Sequence, residues 1–216
     1  MKRTNNNNWI FTISIILTAI VLAFLSFIPI NMEYIKPFVV YFDPTKLLSN
    51  LPLWIFINSI IALYSHSEKT ATLNTTLFNI VCFVSYCLFS IILTHTMPKE
   101  MFLTWIVFTL IWAIFAYLVW SANRQDTKGW ILSTILLAIL FSTCFTYTEN
   151  TISSTTILNF LLYVFLAVIL YKGTKETLII VVLSILLAMI LNKFQIQIIQ
   201  IIFTKSACIY FNSVLL

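Results

Sequence analysis

The chain of 216 residues is 61% hydrophobic and 16% aromatic, only 9% of its residues are charged, and its net charge is +5. A soluble domain carries about 25% charged residues, so the composition excludes a water-soluble globule, and so much apolar matter also excludes a disordered chain. Four cysteines in such a chain do not make a disulfide scaffold. The composition predicts an all-α fold, a polytopic transmembrane helical bundle.

Long uncharged runs follow one another along the chain, and the segments between them hold nearly all the charges. A membrane-spanning helix needs about 20 apolar residues, and its backbone amides must be paired within the helix because hydrocarbon offers no partner. Six runs meet this length and the last one is a few residues short, which predicts six to seven spans. The runs are 9–30, 47–64, 77–96, 102–122, 130–147, 154–171 and 177–192.

The first run differs from a signal peptide. Lys2 and Arg3 precede it, but its apolar stretch is longer than a signal core of about 7–15 residues, and no cleavage site of small residues follows it. We therefore expect an uncleaved first helix after a polar N-terminal arm at 1–8. The transmembrane helical domain is expected over 9–192.

The connections between the runs are short, except for the first. That connection, 31–46, contains Asp43-Pro44, which favours a helix start near Pro44 because the carboxylate can cap free amides and proline suits the first helical position. Gly129 and Gly173 both fall in predicted loops, so no membrane helix is expected to contain glycine. The other loops are predicted at 65–72, 98–100, 123–129, 148–153 and 172–176, and links this short make consecutive helices antiparallel neighbours.

The segment 193–216 has two interpretations. Polar residues recur at helical spacing among isoleucines, namely Lys193, Gln197, Gln200 and Thr204. This pattern favours an amphipathic helix at the membrane surface. It also fits an extension of the last span over 193–204 whose polar stripe faces the bundle.

Lys and Arg residues predict the orientation, because cytoplasmic loops carry an excess of them. With a cytoplasmic N-terminus, the outer side holds Lys36, Lys46 and Lys99 before the tail. The inner side then holds the larger set of Lys2, Arg3, Lys69, Arg124, Lys128, Lys172 and Lys175. This predicts a membrane protein with its N-terminus in the cytoplasm, and the net charge then reflects topology rather than nucleic-acid binding. Trp54 is expected near the outer interface in an aromatic belt.

The spans lack the groups that most intramembrane chemistry needs. No Asp, Glu, Lys or Arg lies within the apolar cores, which argues against a carboxylate-based proton or sodium path and against intramembrane proteolysis. His66 and His95 are predicted on opposite sides of the membrane, so they cannot share a metal. Cys82 and Cys87 lie within the third span, away from His66. We therefore predict no catalytic residue, no metal site and no cofactor, and the chain is not expected to be an enzyme.

Four residues are candidates for contact with a ligand. Trp105 and Trp112 lie close to one stripe of the fourth span, and aromatic side chains bury large areas against a hydrophobic ligand. Asn58 in the second span and Tyr86 in the third are among the polar groups nearest mid-membrane. The alternative interpretation is ordinary packing for the tryptophans and structural interhelical hydrogen bonds for Asn58 and Tyr86.

Several segments resemble one family. They are the stretch from Trp54 to Asn58, the segment from Ser65 to Ala71, Phe78-Asn79, Ser85-Tyr86, and Trp105 through Trp120 with Ala122. Together they are similar to a small family of multi-span membrane proteins of Gram-positive bacteria with AT-rich genomes, over residues 50–192. The resemblance implies the fold and a location in the bacterial cell (cytoplasmic) membrane, and it implies no particular activity.

The leading hypothesis is a non-enzymatic multi-pass membrane protein that binds or helps to transport a small or amphipathic molecule, alone or as a subunit of a larger transporter. Ala19 and Ala23 on the first helix are similar to the small-residue docking face of vitamin-uptake substrate-binding subunits. The alternative is an interaction protein, such as a bacteriocin-immunity or accessory membrane factor. The expected partners are the lipid bilayer, an unidentified small molecule and, in a larger transporter, another membrane subunit; nucleic acid is not expected.

Overall fold

The computed structural model describes residues 8–26, 48, 50–95, 97, 99, 101–144 and 154–193. Within these residues the chain forms seven α-helices and no β-strand. The helices are α1 (Asn8–Leu25), α2 (Leu51–Tyr64), α3 (Glu68–Thr94), α4 (Met101–Ala122), α5 (Thr127–Cys144), α6 (Ser154–Ile169) and α7 (Thr174–Lys193). They pack together, which confirms the predicted all-α helical bundle.

Three of the described helices are long and apolar enough to cross a membrane. These segments are Glu68–Leu93 in α3, Phe102–Ala122 in α4 and Thr174–Leu191 in α7. The apolar segments of the other described helices are shorter, with 10–17 residues each: Trp9–Leu25, Leu51–Tyr64, Thr127–Thr143 and Ile157–Ile169. The chain is therefore a membrane protein, and the shortest predicted span, 177–192, belongs to one of these three described helices.

Several predictions concern segments outside the described residues. They are the polar arm before Asn8, the first connection with its helix start near Pro44, and the two interpretations of the tail after Lys193. Where α2 is described, it begins at Leu51 after Asn50, with Pro52 in its first turn. Proline is tolerated there because the amides of a first turn have no partner within the helix.

The bundle has an apolar exterior and a partly polar interior. Large apolar side chains are exposed on α1 and on α3 to α7, for example Trp9, Leu73, Leu103 and Leu178. Polar side chains are buried instead, including Asn58, Ser59, Thr75, Asn79, Ser133, Asn159 and Ser184. Apolar side chains can face lipid without cost, whereas polar side chains are stabilised by hydrogen bonds between helices. This distribution is therefore the one expected of a membrane bundle.

The central helix of the described bundle is α2. It packs against α3, α4, α5 and α6, while α1 packs against α3 and α7 against α5. Small side chains allow close helix approach at the flanks: Ala19 and Ala23 on α1 and Ala188 on α7 are fully or almost fully buried. Ala19 and Ala23 are thus used within the chain, and they are not free to serve as a docking face for another subunit.

Three connections meet at one end of the bundle, here named the basic end: 65–67, 123–126 and 170–173. The indole Nε1 of Trp120 donates a hydrogen bond to the carbonyl oxygen of Ser65 at 3.0 Å. The Lys172 ammonium donates to the carbonyl oxygen of Arg124. Burial in this contact lowers the pKa of Lys172, and the nearby Asp126 partly opposes that shift. The first bond ties the end of α4 to the 65–67 connection, and the second ties the 170–173 connection to the 123–126 connection.

The loop predicted at 65–72 is shorter than expected, because α3 begins at Glu68. Ser67 caps this helix: its hydroxyl accepts from the amide of Thr70 at 3.2 Å, and the Thr70 hydroxyl accepts from the amide of Ser67 at 2.7 Å. Glu68 adds a negative charge to the first turn, where the helix dipole favours it. The reciprocal cap starts the helix at Glu68, about two and a half turns before the apolar run at 77–96, so the predicted end of the loop at Thr72 is wrong.

Gly129 is placed differently from the prediction, since it lies in the first turn of α5. Its amide donates to Asp126 Oδ1 at 2.8 Å. This hydrogen bond holds the pKa of Asp126 below its ordinary value, and the positive charge of Arg124 lowers it further. A Cβ on Gly129 would overlap the carbonyl oxygen of Arg124 and lie 2.8 Å from Lys172 Nζ. The described helix α5 therefore contains a glycine, contrary to the prediction. The α4–α5 connection passes so close to Gly129 that no side chain fits at this position. Gly173 lies between α6 and α7, as predicted.

Candidate functional site

An aromatic cluster joins α2, α3 and α4. Trp54 is at its centre, with its ring centroid 5.7 Å from that of Trp105 and 6.3 Å from that of Phe108. Trp105 also stacks on Phe83 at 5.6 Å. Edge-to-face and offset contacts of this kind add to the packing energy of large rings. The full cluster comprises Trp54, Phe78, Phe83, Phe102, Trp105, Phe108, Trp112 and Phe115.

Trp54 is buried among the helices. Its side chain is 8% exposed, and its indole Nε1 donates to the carbonyl oxygen of Leu48 at 2.7 Å. A buried indole needs such a partner for its N–H group. Trp54 thus faces the other helices, because central α2 carries this residue towards α3 and α4, while its depth near the outer end of α2 stays a prediction.

A narrow cleft opens beside the aromatic cluster, at the end of the bundle opposite the basic end. Its walls come from the end of α1, the beginning of α2, the second half of α3 and the beginning of α4. The lining residues are Leu22, Ala23, Ser26, Leu48, Trp54, Cys82, Tyr86 and Trp105. Its volume of about 10 Å³ corresponds to about one water molecule, so it admits the end of a narrow chain.

Polar groups in the cleft wall are engaged within the chain. The Ser26 hydroxyl donates to the carbonyl oxygen of Ala23 at 2.6 Å, and Trp54 donates to Leu48 as described above. Most of the remaining wall is apolar or aromatic surface. A group that enters this cleft therefore gains dispersion contacts and needs few hydrogen bonds to the wall.

A second polar feature, here named the buried amide cluster, lies where α2 meets α3. It consists of Asn58, Thr75 and Asn79, which are almost completely inaccessible. The side-chain amide of Asn79 donates to Asn58 Oδ1 at 2.9 Å and to the Thr75 carbonyl oxygen at 3.0 Å. The amide of Asn58 donates to the Trp54 carbonyl oxygen at 2.9 Å. The side-chain amide nitrogens of both asparagines thus donate to acceptors inside the chain, Asn79 twice and Asn58 once.

Oxygen atoms of this cluster remain without partners. Asn79 Oδ1 and Thr75 Oγ1 have no hydrogen-bond partner, and neither does Ser59 Oγ nearby on α2. A buried polar atom that lost its water without gaining a partner costs about 1–3 kcal/mol. These three oxygens are the buried side-chain atoms that make no hydrogen bond within the described residues.

The four predicted ligand-binding residues fall in different places. Tyr86 and Trp105 both line the cleft. Asn58 belongs to the buried amide cluster one turn below Trp54. Trp112 lies further along α4, with its ring between Phe108 and Phe115 at 6.0 Å from each. The structure therefore brings two of the four together and keeps the other two outside the cleft wall.

Sequence reasoning missed Trp54, Thr75 and Asn79 as candidate site residues. A usable signal existed for α3, because Thr75, Asn79, Cys82 and Tyr86 are spaced by four, three and four residues and so share one helix face. No comparable signal existed for Trp54, whose position at the end of its apolar run is typical of an interfacial residue.

The described residues contain no group of three His, Cys, Asp or Glu side chains that could hold a metal ion. Comparison with known proteins adds no assignment: no family model matches the chain, and neither a curated protein nor a solved structure matches it.

Proposed function

We propose that this chain is a non-enzymatic multi-pass membrane protein that binds a small amphipathic molecule in the cleft. In this proposal it helps that molecule into or across the membrane, alone or as the membrane subunit of a larger transporter. The lipid bilayer and the small molecule are its partners.

The observation that carries the proposal is the convergence of Trp54, Tyr86 and Trp105 from three helices on one cleft. Ligand sites are concave and mostly apolar, with aromatic side chains in their walls. The small volume restricts the part of the ligand that enters to a narrow chain rather than a ring. An amphipathic molecule fits, because its chain can enter while its other end remains at the membrane surface.

We further propose a location in the bacterial cytoplasmic membrane with the N-terminus in the cytoplasm. Support comes from the basic end, where α1 starts and where Lys69, Arg124, Lys128, Lys172 and Lys175 lie near the described connections. An excess of Lys and Arg is typical of cytoplasmic loops. A reporter enzyme that works only in the cytoplasm should therefore be active when it is fused after Asn123. A fusion accessible from the periplasmic or outer side would invert the orientation.

The ligand proposal is tested with a narrow fluorinated probe, 6,6,6-trifluorohexan-1-ol, on the purified chain in lipid nanodiscs. We expect a saturable ¹⁹F NMR shift beyond that of empty nanodiscs. Ser26→Leu should weaken this binding about tenfold, because the larger leucine side chain fills a cleft that holds about one water molecule.

Thr18→Leu is the matched control, since Thr18 is an exposed hydroxyl residue on the same helix and outside the cleft wall. This control should bind the probe as the unaltered chain does. A chain without saturable binding, or equal binding in Ser26→Leu, would contradict the proposal.

A further inference from the structure

Three cations converge at the basic end, where the α4–α5 and α6–α7 connections meet. Arg124 and Lys128 are exposed, and Lys172 is half-buried with its ammonium on the Arg124 carbonyl oxygen. Arg124 Nε lies 3.3 Å from Asp126 Oδ2. The charges of Lys128 and Lys172 also interact with this carboxylate. A single carboxylate is therefore shared by three positive charges.

The group of Arg124, Asp126, Lys128 and Lys172, here named the cation cluster, keeps an excess of positive charge. Three cations and one carboxylate leave a charge of +2. Both oxygens of Asp126 are already engaged, since Oδ1 accepts from the Gly129 amide and Oδ2 lies beside Arg124. Among the described residues, the other formal charges near this end cancel in sum, namely those of Glu68, Lys69, Lys175 and Glu176. The cluster therefore attracts an anion, and most strongly a group with several acceptor oxygens such as a phosphate.

An apolar face of α5 begins at this cluster. Lys128, Ile131 and Ile135 are spaced by three and four residues, so they share one side of the helix. All three side chains are exposed. Tyr171 is also exposed at this end, and tyrosine is enriched where a bilayer meets water. A positively charged site thus stands at the end of a lipid-facing apolar surface.

We propose that the cation cluster binds the phosphate group of an anionic phospholipid, whose acyl chain lies along Ile131 and Ile135. Arg124, Lys128 and Lys172 supply the charge, and the α5 face supplies contacts that a small soluble anion does not use. A zwitterionic lipid carries its own cation near its phosphate, so it gains less from the cluster. The site lies at the opposite end of the bundle from the cleft, and the inference therefore does not depend on the proposed function.

The test uses native mass spectrometry of the purified full chain in a neutral detergent, with dioleoyl-phosphatidylglycerol and dioleoyl-phosphatidylcholine as probes. The two lipids have the same acyl chains and differ in net charge. We expect phosphatidylglycerol to bind at least about fivefold more tightly than phosphatidylcholine. Lys128→Gln should weaken phosphatidylglycerol binding about fivefold, the effect of one Lys or Arg near an anionic lipid surface, and leave phosphatidylcholine binding within about twofold.

Two variants show whether the effect belongs to the cation cluster. Lys69→Gln is the matched control, because it removes the same charge from an exposed residue near the basic end and outside the cluster. It should change phosphatidylglycerol binding by less than about twofold. Asp126→Asn should tighten that binding about threefold, because asparagine keeps an oxygen acceptor for the Gly129 amide and removes the negative charge.

Three outcomes would overturn the proposal. Equal affinities for the two lipids would contradict the selection of an anionic lipid. An equal loss in Lys69→Gln and Lys128→Gln would show a general effect of net charge and no site at the cluster. Displacement of the bound lipid by millimolar inorganic phosphate would make a soluble anion the ligand instead of a lipid. None of these outcomes bears on the cleft, which the trifluorohexanol probe tests separately.

Discussion

Trp54→Ala is expected to lower the free energy of unfolding by about 3–5 kcal/mol, the cost of removing a large aromatic side chain from a packed interior. The substitution removes the ring contacts with Phe78, Trp105 and Phe108 and leaves a cavity at the centre of the aromatic cluster. It also leaves the Leu48 carbonyl oxygen without its indole donor. Equilibrium unfolding in mixed detergent micelles, followed by circular dichroism, measures the change.

Two further variants sharpen this prediction. Trp54→Phe keeps a ring and loses the hydrogen bond to Leu48, so it should cost less than Trp54→Ala. Trp9→Ala is the matched control, because the Trp9 side chain is 79% exposed at the start of α1, and its effect should stay within about 0.5 kcal/mol. Equal losses for Trp9→Ala and Trp54→Ala would show that Trp54 is not the centre of a packed cluster.

Gly129→Ala should destabilise the protein by about 1–3 kcal/mol, the usual range for forcing extra atoms into a packed site. Helix propensity alone predicts a gain in the free energy of unfolding, since alanine in a helix is favoured over glycine by about 1 kcal/mol. The overlap of the new Cβ with the backbone carbonyl of Arg124 decides the sign, because a backbone atom cannot rotate away as the end of Lys172 can.

Lys128→Ala, at the neighbouring position of the same helix turn, controls for general effects at the start of α5. It is exposed and should change the unfolding free energy by less than about 0.5 kcal/mol. The same detergent unfolding experiment measures both variants. A gain of stability in Gly129→Ala would mean that the α4–α5 connection does not approach α5 as closely as described.

The location of the helices could be predicted well from the sequence, and their ends less well. The runs at 102–122 and 177–192 correspond closely to α4 and α7, because a long uncharged stretch in hydrocarbon has no alternative to a helix. The beginnings of α3 and α5 differ from the prediction because Ser67 and Asp126 cap these helices within polar segments. A cap depends on the position of single side chains rather than on hydropathy.

The candidate site could be predicted only in part. Tyr86 and Trp105 were correctly placed on membrane helices and prove to share a cleft, whereas Trp112 packs between rings of its own helix. Asn58 was predicted from its depth in the membrane, but its partner Asn79 was not, since a hydrogen bond between α2 and α3 joins residues 21 positions apart. Whether such a pair meets depends on the rotation of each helix about its axis.

By itself, the sequence determined that the chain is a membrane protein built of apolar helices, because pairing of the backbone within each helix is a local requirement in lipid. The tertiary structure alone decided which face of each helix points inward, that α2 is central, and that Trp54 joins Trp105 in the cleft wall. The physical reason is that lipid and protein interior are equally apolar, so the hydrophobic pattern of a spanning helix does not distinguish its two faces. Packing of rings and small residues, together with a few hydrogen bonds such as that between Asn58 and Asn79, makes that choice.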